Sequence, residues 1–205
     1  MSDKVKKVII ERIREGVYRP GERLIELQLA DEFQTSQAPV REALCKLESM
    51  RIVETVAYKG TRVREIGGQE LEECLQIRAV LENLAAEQVA ARVLEKITIL
   101  REIAMETVEA AKMHDLRRYS LANLDFHRLI VEASGNRTLI TLWDSLAPEV
   151  RMFASVRAHS NMLVPAANEH LEIVEAFIEG DNRFAGKLLR KHVDPARVET
   201  LVQPV

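Results

Sequence analysis

Apolar positions recur along this chain with two periods, and the change between them divides it. Val5, Val8, Ile9 and Ile13 fall three and four residues apart, so they mark one face of a short helix that stops at Gly16. Tyr18-Arg19-Pro20-Gly21 then reads as a turn. Leu24, Leu27, Leu29, Ala30 and Phe33 predict a second short helix. Gln34-Thr35-Ser36 is a polar break, with Ser36 suited to cap a third helix and Pro39 placed in its first turn, where a missing N–H costs little. Val40, Ala43, Leu44 and Leu47 supply that helix's buried face. Two β-branched runs, Ile52–Val56 and Thr61–Ile66, follow on either side of Ala57-Tyr58-Lys59-Gly60, which predicts a hairpin with Gly60 near its tip.

Beyond Gly67-Gly68 the helical period is continuous. The pattern predicts helices from Leu71 to about Val93 and from about Glu95 to Met113. A third runs from Leu116 to Ala133, and the next is capped by Asn136 and runs past Trp143 towards Arg157. Pro165 opens a helix that ends at Gly180, and Asp181 opens the last. The fold class is therefore mostly α: an N-terminal winged helix-turn-helix with a small β-hairpin wing over residues 1–66, and an all-α helical bundle over 69–200.

Charge sharpens the division. The 205 residues carry a net charge of −3, which by itself argues against a broadly basic protein. Residues 1–66 hold 13 basic residues against 11 acidic ones, while the remainder holds 16 against 21. A weakly basic module thus precedes an acidic one. Cys45 and Cys74 have no paired ligand spacing, no apolar run is long enough to span a bilayer, and Met1–Lys4 begins no signal peptide. A soluble cytoplasmic protein without disulfides is expected.

In a helix-turn-helix the N-terminal turn of the second helix meets base edges in the major groove. Here it carries Ser36, Gln37, Ala38 and, one turn on, Arg41. Gln suits adenine, Arg suits guanine, and Ser is permissive. Lys59 and Arg62 flank the hairpin tip, where Gly60 lets the backbone approach the duplex closely. The stretches Gly16-Val17-Tyr18-Arg19-Pro20-Gly21-Glu22-Arg23-Leu24, Leu29-Ala30 and Ser36-Gln37-Ala38-Pro39-Val40-Arg41-Glu42-Ala43-Leu44 closely resemble the GntR superfamily of bacterial transcription regulators. The resemblance implies DNA contact by Gln37, Arg41 and the wing. It departs from the family at Gln37, where arginine is usual.

Five histidines lie in the second region. His127, His170 and His192 each share a stripe with apolar residues on a separate helix, so the three are candidates to converge inside the bundle. Asn123 precedes His127 by four residues on the same face, whereas His114 and His159 sit in polar surroundings and read as surface residues. This half resembles the FCD domain of the FadR branch, on Arg78-Ala79-Val80-Leu81-Glu82, Phe126-His127-Arg128-Leu129-Ile130, Ala133-Ser134-Gly135-Asn136, Glu169-His170 with Ile173, Gly180-Asp181 and His192. The resemblance implies a divalent cation held by Asn123, His127, His170 and His192, zinc ahead of nickel or manganese. Asn123 stands where an acidic ligand is usual and contributes no negative charge.

Four protein ligands leave room for a small organic acid as effector, with Arg78 and Arg151 as candidate counter-charges. The expected function is a homodimeric, effector-controlled repressor on a palindromic operator in double-stranded DNA. The competing reading is a metal-dependent hydrolase using the histidine cluster, which leaves the N-terminal region unexplained and lacks an acidic residue at motif spacing for a general base.

Overall fold

A computed structural model describes residues 1–89, 91–146, 151, 155–156 and 160–194. His159 and the last residues of the expected second domain lie outside that set. The chain divides into two units: residues 1–67 with 144–151, and 68–143 with 152–205.

The first unit opens with α1 (Ser2–Arg14), whose Val5, Ile9 and Ile13, four apart, are its buried apolar residues. A two-residue strand β1 (Arg23–Leu24) precedes α2 (Glu26–Glu32) and α3 (Gln37–Ser49). Leu24, expected at the start of the second helix, thus lies in a strand instead. Ser36 occupies the N-cap position of α3 in an extended conformation. Strands β2 (Val53–Val56) and β3 (Gly60–Val63) complete an antiparallel sheet ordered β1-β3-β2. Thr61–Ile66 therefore pairs one residue earlier than expected and ends at Val63. Two strands become three because Arg23 pairs with Arg62 and Leu24 with Thr61. The wing turns at Ala57-Tyr58-Lys59, with Tyr58 fully exposed at φ 62. Ile9, Val40, Leu47, Ile52 and Val63 form the unit's core with other buried apolar residues.

The second unit begins with α4 (Gly68–Gln88) and a short α5 (Ala91–Leu94), where one helix to Val93 was expected. Arg92 explains the division: its guanidinium donates to the Gln88 carbonyl at the end of α4 (2.9 Å) and to the Ala133 carbonyl (2.7 Å). It thereby satisfies carbonyls that a helix end leaves without partners. Then follow α6 (Ile97–Lys112), α7 (Leu116–Ala133), α8 (Arg137–Ser145), α9 (Leu163–Ile178) and α10 (Asn182–Val193). Helix α9 starts two residues before Pro165, which sits in its first turn where proline is tolerated. Side chains of Asp115, Asn136 and Asp181 cap α7, α8 and α10 by accepting the backbone N–H three residues on. The expected continuation of α8 to Arg157 lies largely outside the described residues.

Phe126, Ile130, Ile173, Phe177, Leu100 and Leu189 join α6, α7, α9 and α10 in one apolar cluster. At about 1.5–3 kcal/mol for each fully buried large side chain, this cluster is the chief stabiliser of the bundle. Helices α4 and α10 approach closely at Gly186, where a Cβ would stand 3.0 Å from the Asn83 carbonyl oxygen. Both cysteines are free thiols, Cys45 exposed and Cys74 buried. Among the described residues no helix is long and apolar enough to cross a membrane.

Candidate functional site

In the first unit, packing of Val40, Ala43, Leu44 and Leu47 turns the opposite face of α3 outward. Ser36, Gln37, Ala38 and Arg41 are all exposed there. Arg41 is tied to α2: its Nε lies 3.1 and 3.2 Å from the two carboxylate oxygens of Glu26, and its Nη2 donates to Oε2 at 2.8 Å. Lys59 is exposed in the wing turn, and Arg62 donates to Glu54 across the ladder at 2.7 Å. Gly60 sits at φ 81, in the left-handed region that favours glycine.

The sequence reading missed Arg23. It lies opposite Arg62 in the β1–β3 register, and its guanidinium lies 3.3 Å from where a Cβ on Gly60 would be. Gly60 thus serves both the turn and the approach of that side chain. Arg23 and Lys59 form no ion pair with a carboxylate among the described residues, so their full charge faces solvent. No local signal marks Arg23, because only the ladder places it on the wing.

In the second unit, α7, α9 and α10 carry His127, His170 and His192 to one place. A ring nitrogen from each lies within 4.8 Å of the others. His127 and His170 are fully buried, and the His192 side chain nearly so. Each ring is anchored through Nδ1. His127 Nδ1–H donates to Glu82 Oε2 at 2.7 Å, and His192 Nδ1–H donates to Glu169 Oε2 at 2.8 Å. Thr107 spends its hydroxyl proton on the Ala104 carbonyl at 2.7 Å, so its oxygen accepts from His170 Nδ1–H at 2.9 Å. With Nδ1 of each ring taken by these partners, Nε2 is the nitrogen each ring has left for a ligand. His127 Nε2 is buried and has no hydrogen-bond partner among the described residues.

Titration follows burial. Desolvation pushes the His127 pKa down against the pull of Glu82, and pushes His170 well below the ordinary range with help from the neighbouring His192 and His127. For Glu82 burial alone would raise the pKa. The charge of Arg78, then the His127 interaction and the Trp143 hydrogen bond, outweigh it and hold the carboxyl far below the usual range. Glu82 gathers three donors: Arg78 Nε at 2.5 Å, Trp143 Nε1 at 2.8 Å and His127 Nδ1.

These residues fit a divalent cation. Two nitrogens bound at about 2.1 Å to one ion stand about 3 Å or slightly more apart. His170 Nε2 and His192 Nε2 are 3.0 Å apart, and a ring nitrogen of His127 lies within 4.8 Å of the other two rings'. Asn123 is buried one turn before His127 on α7. The donor set has no anionic member, and the carboxylates of Glu82 and Glu169 stand directly behind two of the rings. Their roles were not legible beforehand, although both lie in quoted motifs. Arg78 is buried and belongs to this network through Glu82, whereas Arg151 belongs to the other unit, buried, with Nη1 donating to the Leu146 carbonyl. His114 is exposed, at φ 52.

Comparison with known proteins follows the same division. Residues 1–63 match the bacterial regulatory proteins of the gntR family, and residues 73–195 match the FCD domain. The probable D-xylose utilization operon transcriptional repressor of Paenarthrobacter nicotinovorans is 31% identical over 193 residues, spanning 94% of this chain and 85% of its own. The HTH-type transcriptional repressor GlaR of Escherichia coli (strain K12) is 29% identical over 192 residues, spanning 87% and 86%. Among solved structures, E. coli McbR/YncC superposes with a TM-score of 0.80 at 22% identity, over 98% of this chain and 96% of that one. That likeness establishes the fold.

Proposed function

The chain belongs to the GntR family of bacterial regulatory proteins, with an FCD domain as its second part, and from that premise we propose that it is a cytoplasmic transcriptional repressor. It binds a palindromic operator in double-stranded DNA as a homodimer, and a small organic acid in the helical bundle sets its grip. The family and the relatives are regulators of transcription, not enzymes, so the hydrolase reading is set aside.

One observation carries the DNA-binding reading. The first turn of α3 exposes Ser36, Gln37, Ala38 and Arg41 together, beside a wing that exposes Lys59, Arg62 and Arg23. Gln37 and Arg41 meet base edges, while the wing cations and the Gly60 backbone meet the sugar-phosphate strand. Residues 1–66, with an excess of only two positive charges, gain little from general attraction. Two copies on half-sites about one helical turn apart supply the rest.

In the bundle, Asn123, His127, His170 and His192 hold a divalent cation, zinc ahead of nickel or manganese. When bound, the cation supplies a Lewis-acidic point for a carboxylate. The chain's own residues orient and neutralise. Glu82, Thr107 and Glu169 fix the three rings with Nε2 inward, and the two carboxylates balance charge that Asn123 does not. Arg78, which shares Glu82 with His127, is the counter-charge for the effector. An effector shifts the balance between DNA-competent and incompetent forms only by binding one of them better.

Enrichment of genomic fragments on the purified protein tests the whole reading. A recovered two-fold sequence is expected, and recovery of random fragments overturns it. Elemental analysis of the wild type against His170→Ala tests the cation site, which equal metal content in both would refute.

A further inference from the structure

We propose that Glu26 is a specificity-determining residue that sets how Arg41 presents itself to DNA, lowering general affinity in exchange for base discrimination. The inference rests on α3 being the DNA-reading helix, and extends it to a residue on α2 to which no role is assigned.

The geometry is specific. Glu26 takes Nε and Nη2 of Arg41, which together form the side edge of the guanidinium. A guanidinium has five N–H groups in a rigid plane. With that side edge occupied, the end edge remains: one outward proton each on Nη1 and Nη2. Two parallel donors at the end of the side chain match O6 and N7 of a guanine approached end-on. The clamp also limits rotation about the last bonds of a long side chain, which otherwise samples many positions. Arg41 keeps 64% of its side chain exposed in the pair, so the end edge stands open to a ligand.

Charge points the same way. Arg41 and Glu26 together are neutral, so the pair draws little on the phosphate backbone. A lone arginine at this position would be attracted to any phosphate within reach. The wing contrasts with α3: Arg23 and Lys59 keep their full charge among the described residues, as suits backbone contact. Arg62, paired with Glu54, is the exception on the wing, so the contrast with Arg41 rests on Arg23 and Lys59.

The test compares the wild-type dimer with Glu26→Gln on a selected operator and on random-sequence duplex over a range of salt concentrations. The variant is expected to lose about tenfold or more of its operator-over-random ratio, comparable to one good bidentate base contact. Its random-duplex affinity rises, and the salt dependence steepens by about 0.9 per protomer as the released Arg41 takes a phosphate. A purely structural Glu26 would instead lower both affinities in parallel, and that result, or no change in the ratio, overturns the proposal. If Glu26→Gln lowers the melting temperature, Glu26→Asp decides, because it keeps the charge and shortens the arm. A retained charge with a reduced operator ratio supports positioning, and an unchanged ratio refutes it. A wild-type protein that selects no operator overturns the DNA-reading assignment itself, which separates the two failures.

Discussion

Nε2 of His170 faces Nε2 of His192 at 3.0 Å, and both rings have Nδ1 engaged, by Thr107 and Glu169. Two lone pairs at that distance repel unless a cation or a proton lies between them. A proton there makes one imidazole cationic in a buried site, which burial opposes. A divalent cation bound by both nitrogens removes that repulsion by using the two lone pairs at once.

The metal-free protein should lose stability as pH falls below about 6.5. Above the ordinary histidine pKa both the folded and unfolded chains hold His127 and His170 neutral. Below it the unfolded chain takes up protons that the folded chain refuses, because both folded pKa values are lowered. Each histidine then costs up to about 1.4 kcal/mol per pH unit until its folded value is reached. Urea midpoints at pH 7.5, 6.5 and 5.5 check this, and a midpoint constant over the series contradicts it.

Replacing Glu169 by Gln should weaken cation binding about 10- to 100-fold while leaving the fold intact. Glu169 accepts the His192 Nδ1–H, and its charge raises the basicity of the ring. Chelator competition measures the change. Equal affinities for the two proteins would show that Glu169 only fills surface space.

Arg23→Ala should weaken DNA binding nearly equally on operator and random duplex and reduce the salt slope by about 1. Arg41→Ala should instead cost about 1–3 kcal/mol on the operator alone. Filter binding or fluorescence anisotropy at several salt concentrations separates the two, and identical profiles would remove the distinction between base and phosphate contacts.

Gly186→Ala should destabilise the bundle by about 1–3 kcal/mol, the usual range for overpacking. The added Cβ would stand 3.0 Å from the Asn83 carbonyl oxygen, which belongs to helix backbone and yields little. Thermal unfolding followed by circular dichroism reports the loss.

Local periodicity made much of this legible. The run from Ser36 to Leu44 announced α3 because its cap, proline and apolar spacing are all local. His127, His170 and His192 were legible as inward residues because each repeats with its own helix's apolar stripe. What failed to show depends on partners far away in sequence. Strand β1 is two residues long and exists only through Thr61 and Arg62. Glu82 and Thr107 acquire meaning from His127 and His170, 45 and 63 residues on. The division of α4 from α5 carries no glycine or proline to mark it, and Arg92 reveals its function only once α7 is in place.

Glu82 has one more property of practical weight. Its third donor, Trp143, carries the only tryptophan indole of the chain, and the carboxylate held by that indole also holds the His127 ring. Any change in the electron demand at His127 reaches the indole through a single carboxylate. Intrinsic emission of the unlabelled protein should therefore change when a cation is added to the bundle, in real time and without a reporter attached.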